Sequence, residues 1–281
     1  MLDKKRLIDT FLELVKIDSP SGEEHTLAIF IGNKLKTLGA TVKNDSYGNL
    51  IANIKGNTDI PFMINAHLDT VEPGRSIKPF IKGDKIYSDG TTILGGDDKA
   101  GLAIILEVLR TLKENKLDHP QLEIVLTLGE ESGLLGAMNL DYSMISSKQG
   151  ITLDGHGKVS NVTISAPGYN RVDIQITGIS AHAGVEPEKG LSAIKIASEI
   201  ISKLKVGRID FETTANIGLI SGGSARNAIP ELVEFKGEIR SRNMKKLQKH
   251  TEHFKNVLEI ISSKYTTAKI ETVIKEEFTS Y

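Results

Sequence analysis

Residues 122–131 read Leu122-Glu123-Ile124-Val125-Leu126-Thr127-Leu128-Gly129-Glu130-Glu131. The apolar run predicts a buried strand over Leu122–Leu128. Gly129 frees the backbone, and two carboxylates stand just past the strand tip. The same order recurs on either side: Phe62–Ala66 runs into His67-Leu68-Asp69, and Gly150–Leu153 runs into Asp154-Gly155. Leu50–Ile54 reads as a further strand. Helical spacing over residues 3–17, from Glu23 or Glu24 to about Leu38, from Asp97 or Asp98 through Leu109, and around Leu134–Leu140 fills the intervals. Strands alternating with helices up to about residue 155 predict an α/β fold, with a mostly parallel sheet flanked by helices. In such sheets, ligand sites form outside the carboxyl ends of the strands, where these acidic and histidine residues fall.

From Tyr169 the pattern changes. It predicts a strand (Val172–Thr177), a helix (Gly190–Leu204), two strands (Ala215–Ile220 and Leu232–Arg240), a helix (Lys245–Ser262) and a strand (Lys269–Ile274). This is the β-α-β-β-α-β order of a ferredoxin-like domain. The breakers Ala166-Pro167-Gly168 place the boundary, giving domains over 1–166 and 167–281.

Composition narrows the chemistry. The 281 residues suit about two domains at roughly 100–200 residues each. A net charge of −1 gives no electrostatic case for nucleic acid or an anionic membrane. The charged N-terminal stretch and the lack of a long uncharged run predict a cytoplasmic protein. With no cysteine, thiol catalysis and thiolate metal sites are excluded, which leaves His, Asp and Glu as the strong ligands. One histidine and several carboxylates at strand tips suit zinc, with a spare carboxylate as base.

Each cluster taken alone also has an ordinary reading. His67 and Asp69 could sit in a turn, or Asp69 could hold one imidazole nitrogen while the other binds metal. Asp97 or Asp98 could simply cap a helix, although one cap needs one Asp. Glu130 and Glu131 could open a helix, but adjacent carboxylates repel unless a cation or a division of roles separates them. A ligand beside a general base is one such division. Asp154 could be a turn residue.

The combination is more specific. His67-Leu68-Asp69-Thr70, Gly96-Asp97-Asp98-Lys99-Ala100-Gly101, Glu130-Glu131-Ser132-Gly133 and Asp154-Gly155, in that order, resemble the co-catalytic zinc exopeptidases. Asp89-Gly90-Thr91-Thr92-Ile93-Leu94-Gly95-Gly96-Asp97-Asp98-Lys99 looks most like their peptidase T branch. Ser180-Ala181-His182-Ala183-Gly184 and Gly222-Gly223-Ser224-Ala225-Arg226-Asn227-Ala228-Ile229-Pro230 look like the histidine and asparagine segments of the family's lid domain.

The resemblance implies two zinc ions. His67 and Asp154 would hold one, Glu131 and a late histidine the other, and Asp97 would bridge them. Glu130 would be the general base, and Asp69 would orient His67. His182 and Asn227 would grip the scissile carbonyl or the oxyanion, and Arg240 would meet a substrate carboxylate. A cis peptide between Asp97 and Asp98 and a homodimer formed through the lid are further expectations. The implied reaction is hydrolysis of a short peptide, with deacylation of an N-acyl amino acid as the alternative.

One departure qualifies this. The family continues past the lid with more of the catalytic domain and its last metal histidine, whereas this chain closes on Phe278-Thr279-Ser280-Tyr281. The expectation is a chain without the C-terminal part of that domain, a weak second zinc site and weakened or lost hydrolysis. A non-catalytic remnant that binds metal or a partner is the third reading. His25, His119, His156, His250 and His253 are poor replacements for the missing ligand; the last two are expected in solvent on a charged helix face.

Overall fold

The structure is a computed structural model that describes residues 1–155 and 157–281. The chain divides into two compact units, Met1–Asn161 and Val162–Tyr281.

In the first unit, Asp3 caps helix α1 (Lys4–Leu14) by accepting from the Arg6 amide. Helix α2 (His25–Thr37) follows the Ser19–Gly22 break and ends before Gly39, whose φ of +100° suits a residue without a Cβ. Strands β1 (Thr41–Asn44), β2 (Leu50–Ile54), β3 (Thr58–His67), β6 (Pro120–Thr127) and β7 (Gly150–Thr152) form one sheet in the order β1-β2-β6-β3-β7. The half β6-β3-β7 is parallel; β1 and β2 add antiparallel pairings at one side. Helix α3 (Gly96–Asn115) buries Leu102, Ile105, Leu106 and Leu109 in a core shared with Leu14, Leu27, Ile31, Leu35, Ile124 and Leu126. Helix α4 is a short turn, Leu135–Met138. Two features were not read from the sequence: strand β1, and a separate hairpin of β4 (Phe80–Lys82) and β5 (Lys85–Tyr87), where Phe80 stacks on Tyr87.

The second unit follows the ferredoxin-like order, with strands β8 (Gly168–Thr177), β10 (Thr213–Gly222), β11 (Leu232–Ser241) and β12 (Lys269–Phe278) and helices α5 (Ala193–Lys203) and α6 (Met244–Lys264). A two-residue strand, β9 (Gly207–Arg208), completes the antiparallel order β12-β8-β11-β10-β9. Alternate residues of β8 (Val172, Ile174, Ile176) and of β11 (Val233, Phe235) pack on Ile196, Ile200, Phe254 and Leu258 from the two helices. One expectation is corrected here. His250 is buried rather than solvated: its Nε2 lies 2.8 Å from the Lys205 carbonyl, and its ring packs against Phe254. The stripe of α6 read as charged carries that histidine on its buried side, because the α5–β9 connection lies over it. No helix among the described residues is long and apolar enough to cross a membrane.

Candidate active site

The parallel register decides which residues meet. His67, the last residue of β3, is level with Thr127 of β6, and Asn65 is level with Thr152 of β7. The chain therefore leaves neighbouring strand tips into His67-Leu68-Asp69, Gly129-Glu130-Glu131 and Asp154. Gly95, in the left-handed region, turns the backbone into α3, and the Asp97-Asp98 peptide is cis, as the family resemblance implies.

The two aspartates have separate roles. Asp98 is buried; its Oδ1 accepts from the Gly101 amide and its Oδ2 from the His67 amide, so it pins the start of α3 to the tip of β3. Asp97 keeps 61% of its side chain exposed and places Oδ1 2.9 Å from His67 Nε2. On the other side of the ring, Asp69 Oδ1 lies 3.3 Å from His67 Nδ1, close enough to feel its charge but not aligned as a hydrogen bond. Asp69 also accepts from the Ser21 hydroxyl (2.7 Å) and from the amides of Glu130 (2.9 Å) and Glu131 (3.0 Å).

These contacts set the electrostatics. Burial opposes charge on His67, but Asp69 and Asp97 outweigh it and push the ring's pKa up to about 10. Burial likewise opposes charge on Asp69, yet His67, Ser21 and the two amides hold its carboxyl down at about 2. Burial pushes Asp98 up to about 7. Glu130 is raised by burial and then by Asp154 and Glu131, and Glu131 by burial and then by Asp97. Lys99, fully buried, is pushed down to about 8 by burial, and its Nζ donates to the Ile17 carbonyl at 2.7 Å.

Two overlapping donor groups result. His67, Asp97 and Glu131 each bring a ligand atom within 4.8 Å of the others, and so do His67, Glu130 and Asp154. All the first-unit residues singled out in the sequence thus gather in one place. Their grouping differs from the implied partition, because His67 belongs to both sets and Glu130 stands with Asp154. Among the described residues, neither group contains a second imidazole. His25 opens α2, His119 Nδ1 lies 2.8 Å from the Pro120 carbonyl, and His156 falls outside the described residues.

Within the second unit, the two segments that look like the lid motifs are paired. Ala183 donates to the Asn227 carbonyl and Ile229 to the Ala181 carbonyl, both at 2.9 Å, so His182 faces Ala228. His182 Nδ1 accepts from the Gly184 amide at 3.2 Å, so a neutral ring carries its proton on Nε2. Arg240 is on β11; its fork is held by Glu238 (3.0 and 2.9 Å), and its guanidinium lies 4.8 Å from the Tyr169 ring centre. The carboxylate expected from a substrate is matched here by the chain's own Glu238.

Comparison with known proteins gives the family. Residues 164–266 match the peptidase dimerisation domain of the M20 peptidases, and residues 49–172 match peptidase family M28. The chain is 45% identical over 269 residues to YqjE of Bacillus subtilis (strain 168), covering 92% of this chain and 72% of that protein. The crystal structure of aminopeptidase PepT from Bacillus cereus ATCC 10987 superposes with a TM-score of 0.95 at 39% identity, over 100% of this chain and 78% of that one. A tripeptidase from Staphylococcus aureus subsp. aureus Mu50 gives 0.94 at 38% identity, with the same coverage of 100% and 78%. With strand-tip donors in one unit and a paired histidine and asparagine segment in the other, the chain belongs to the M20 metallopeptidases, in their peptidase T-like branch.

Proposed function

We propose that this chain carries the zinc-dependent hydrolytic centre of a peptidase acting on short peptides, tripeptides foremost. The observation that carries this reading is the pair of donor groups around His67, with carboxylates raised by burial and mutual repulsion. Such a set fits a divalent cation, because a cation relieves the repulsion and takes up the lone pairs. One imidazole among carboxylates suits zinc, and peptidases of the M20 fold include a dinuclear metal-binding member. His67, Asp97 and Glu131 would hold one ion, and Asp154 would contribute beside His67. When bound, zinc lowers the pKa of a water and polarises an amide carbonyl.

The other steps belong to side chains. Glu130, made more basic by burial, takes the proton of the attacking water and returns it to the leaving amine. Asp69, held ionised, keeps His67 Nδ1 turned towards it and so leaves Nε2 on the Asp97 side. His182, with its Nε2 proton, and Asn227 would donate to the carbonyl oxygen. Arg240 would exchange Glu238 for a substrate carboxylate, to which its planar fork is suited. The match to the dimerisation domain supports a homodimer formed through the second unit.

The test is turnover of an unblocked tripeptide beside an acetylated amino acid, with metal per chain measured by elemental analysis. Because the described donor groups share a single imidazole, one tightly held zinc is expected and the second ion should be lost on dialysis. Glu130→Gln should abolish tripeptide cleavage and leave the metal in place. Loss of metal in that variant would overturn the division of roles between Glu130 and Glu131, and preference for the acetylated amino acid would replace peptidase by deacylase.

A further inference from the structure

The loop carrying Glu130 and Glu131 is held in an unusual way. Four consecutive backbone amides each donate to a side-chain oxygen from elsewhere in the first unit. Leu128 donates to Asn49 Oδ1 (3.1 Å), Gly129 to Glu24 Oε1 (3.0 Å), Glu130 to Asp69 Oδ1 (2.9 Å) and Glu131 to Asp69 Oδ2 (3.0 Å). The three acceptor side chains are all buried, Asn49 and Asp69 completely. None of these amides is in a helix or a strand ladder, so the acceptors take the place of secondary structure.

Each acceptor is itself fixed. Asn49 spends its two N–H groups on Asp45 Oδ2 (2.8 Å) and the Gly136 carbonyl (2.9 Å), which leaves its oxygen for Leu128 and sets the orientation of the amide. A side chain at Gly136 would strike both the Leu128 carbonyl and the Asn49 oxygen, so the clamp also requires that glycine. Glu24 stands at the entry to α2, and Gly129, with φ +58°, turns its amide onto the carboxylate. Ser21, three residues earlier, donates to Asp69 Oδ2. The Ser19–Glu24 connection between α1 and α2 therefore reaches the Glu130 loop twice, directly through Glu24 and by way of Ser21 and Asp69.

We propose that Glu24 and Asn49 are positioning residues for hydrolysis, with Ser21 steadying Asp69: they fix the backbone of residues 128–131 so that the Glu130 and Glu131 carboxylates are presented at separate, preset places. Preset placement matters because the adjacent carboxylates repel and a free loop would let them turn apart. Fixing them in advance means that metal binding and proton transfer need no reorganisation. The proposal rests on the peptidase reading for its kinetic part only.

The experiment compares Glu24→Ala, Glu24→Gln and Ser21→Ala with wild type. Backbone hydrogen exchange is followed over residues 125–136, together with kcat and KM for a tripeptide and zinc per chain. Gln keeps an acceptor oxygen and Ala does not. In Glu24→Ala, the Gly129 amide should exchange much faster, and kcat should fall about 10–100-fold at nearly constant KM, the range for loss of an outer-shell support. Glu24→Gln should restore both. Ser21→Ala should speed exchange at Glu130 and Glu131 and leave Gly129 protected, which keeps a reading available if Glu24→Ala does not fold. Wild-type exchange in Glu24→Ala, or equal damage in Glu24→Gln, would overturn the proposal. If wild type cleaves no peptide, the peptidase reading fails and the exchange pattern alone decides this one.

Discussion

Asp69 shows how much one carboxylate can organise. It faces His67, a hydroxyl and two amides, and together these outweigh its burial and keep it ionised. Asn at this position offers one oxygen instead of two and turns an N–H towards a donor. Asp69→Asn should therefore weaken zinc binding about 10–100-fold and cost the first unit about 1–3 kcal/mol for an unsatisfied buried donor. A zinc titration against a competing chelator, with calorimetry alongside, checks both; unchanged values in both would remove Asp69 from its supporting place. The gathering of the candidate site residues His67, Asp97, Glu130, Glu131 and Asp154 was legible because carboxylates and a histidine beside strand ends carry their chemistry in their residue type. Glu24 and Asn49 were not. Their partners are backbone amides 105 and 79 residues away, and nothing in a sequence distinguishes those from other amides.

At the scale of elements, the long periodic segments were legible, whereas of the short ones β7 and α4 were read and β1 and the β4–β5 hairpin were not. The apolar spacing of α3 and α6 and the runs of β3, β6 and β8 gave each of these elements, because their burial repeats over several turns or pleats. Strand β1 and the β4–β5 hairpin have three or four residues each and little buried surface, so their pattern is too brief to read. Besides the core that they share, α1 and α3 are joined by polar pairs that no sequence pattern shows. Arg6 binds Glu107 through Nε (2.7 Å) and Nη2 (2.9 Å), and the Asp3 amide adds a third donor to this buried carboxylate. Arg6 above all holds the Glu107 carboxyl below its ordinary value. A carboxyl lowered in the folded state adds stability above its unfolded pKa, about 4.3, and loses it as pH falls through the lower folded value. Glu107→Gln should thus melt below wild type at neutral pH, and the gap should close between about pH 4 and the acid end of the titration. Melting curves at intervals from pH 7 to pH 3 test this, and a gap that widens in acid would refute it. In the same helix, Leu106 is fully buried, and Leu106→Ala should cost about 2–5 kcal/mol in denaturant unfolding.

For the molecule as a whole, each unit carries its own hydrophobic core. In the second unit, β9 pairs only with Thr214 and Ala215, so most of the β10 edge has no strand partner among the described residues, and Leu219 and Ile220 are 66% and 58% exposed there. An apolar open edge is a template for a second copy, in keeping with the match to a dimerisation domain. Wild type should sediment as a dimer at micromolar concentration and Leu219→Glu as a monomer; a wild-type monomer would count against pairing through this edge. The candidate metal donors, by contrast, all belong to the first unit among the described residues. A ligand held at 100 times its dissociation constant stabilises the state that binds it by about 2.7 kcal/mol. For a unit of this size, each kcal/mol moves the melting temperature by roughly 2–4 °C. Calorimetry of the zinc-loaded chain should then show two transitions. Chelation should lower one by roughly 5–10 °C and leave the other in place, and Asp97→Asn should make the chelator's effect on the first transition small. Equal movement of both transitions would show that the metal's stabilisation is shared by the two cores, and movement of neither would show that the His67 groups hold no metal that matters to folding.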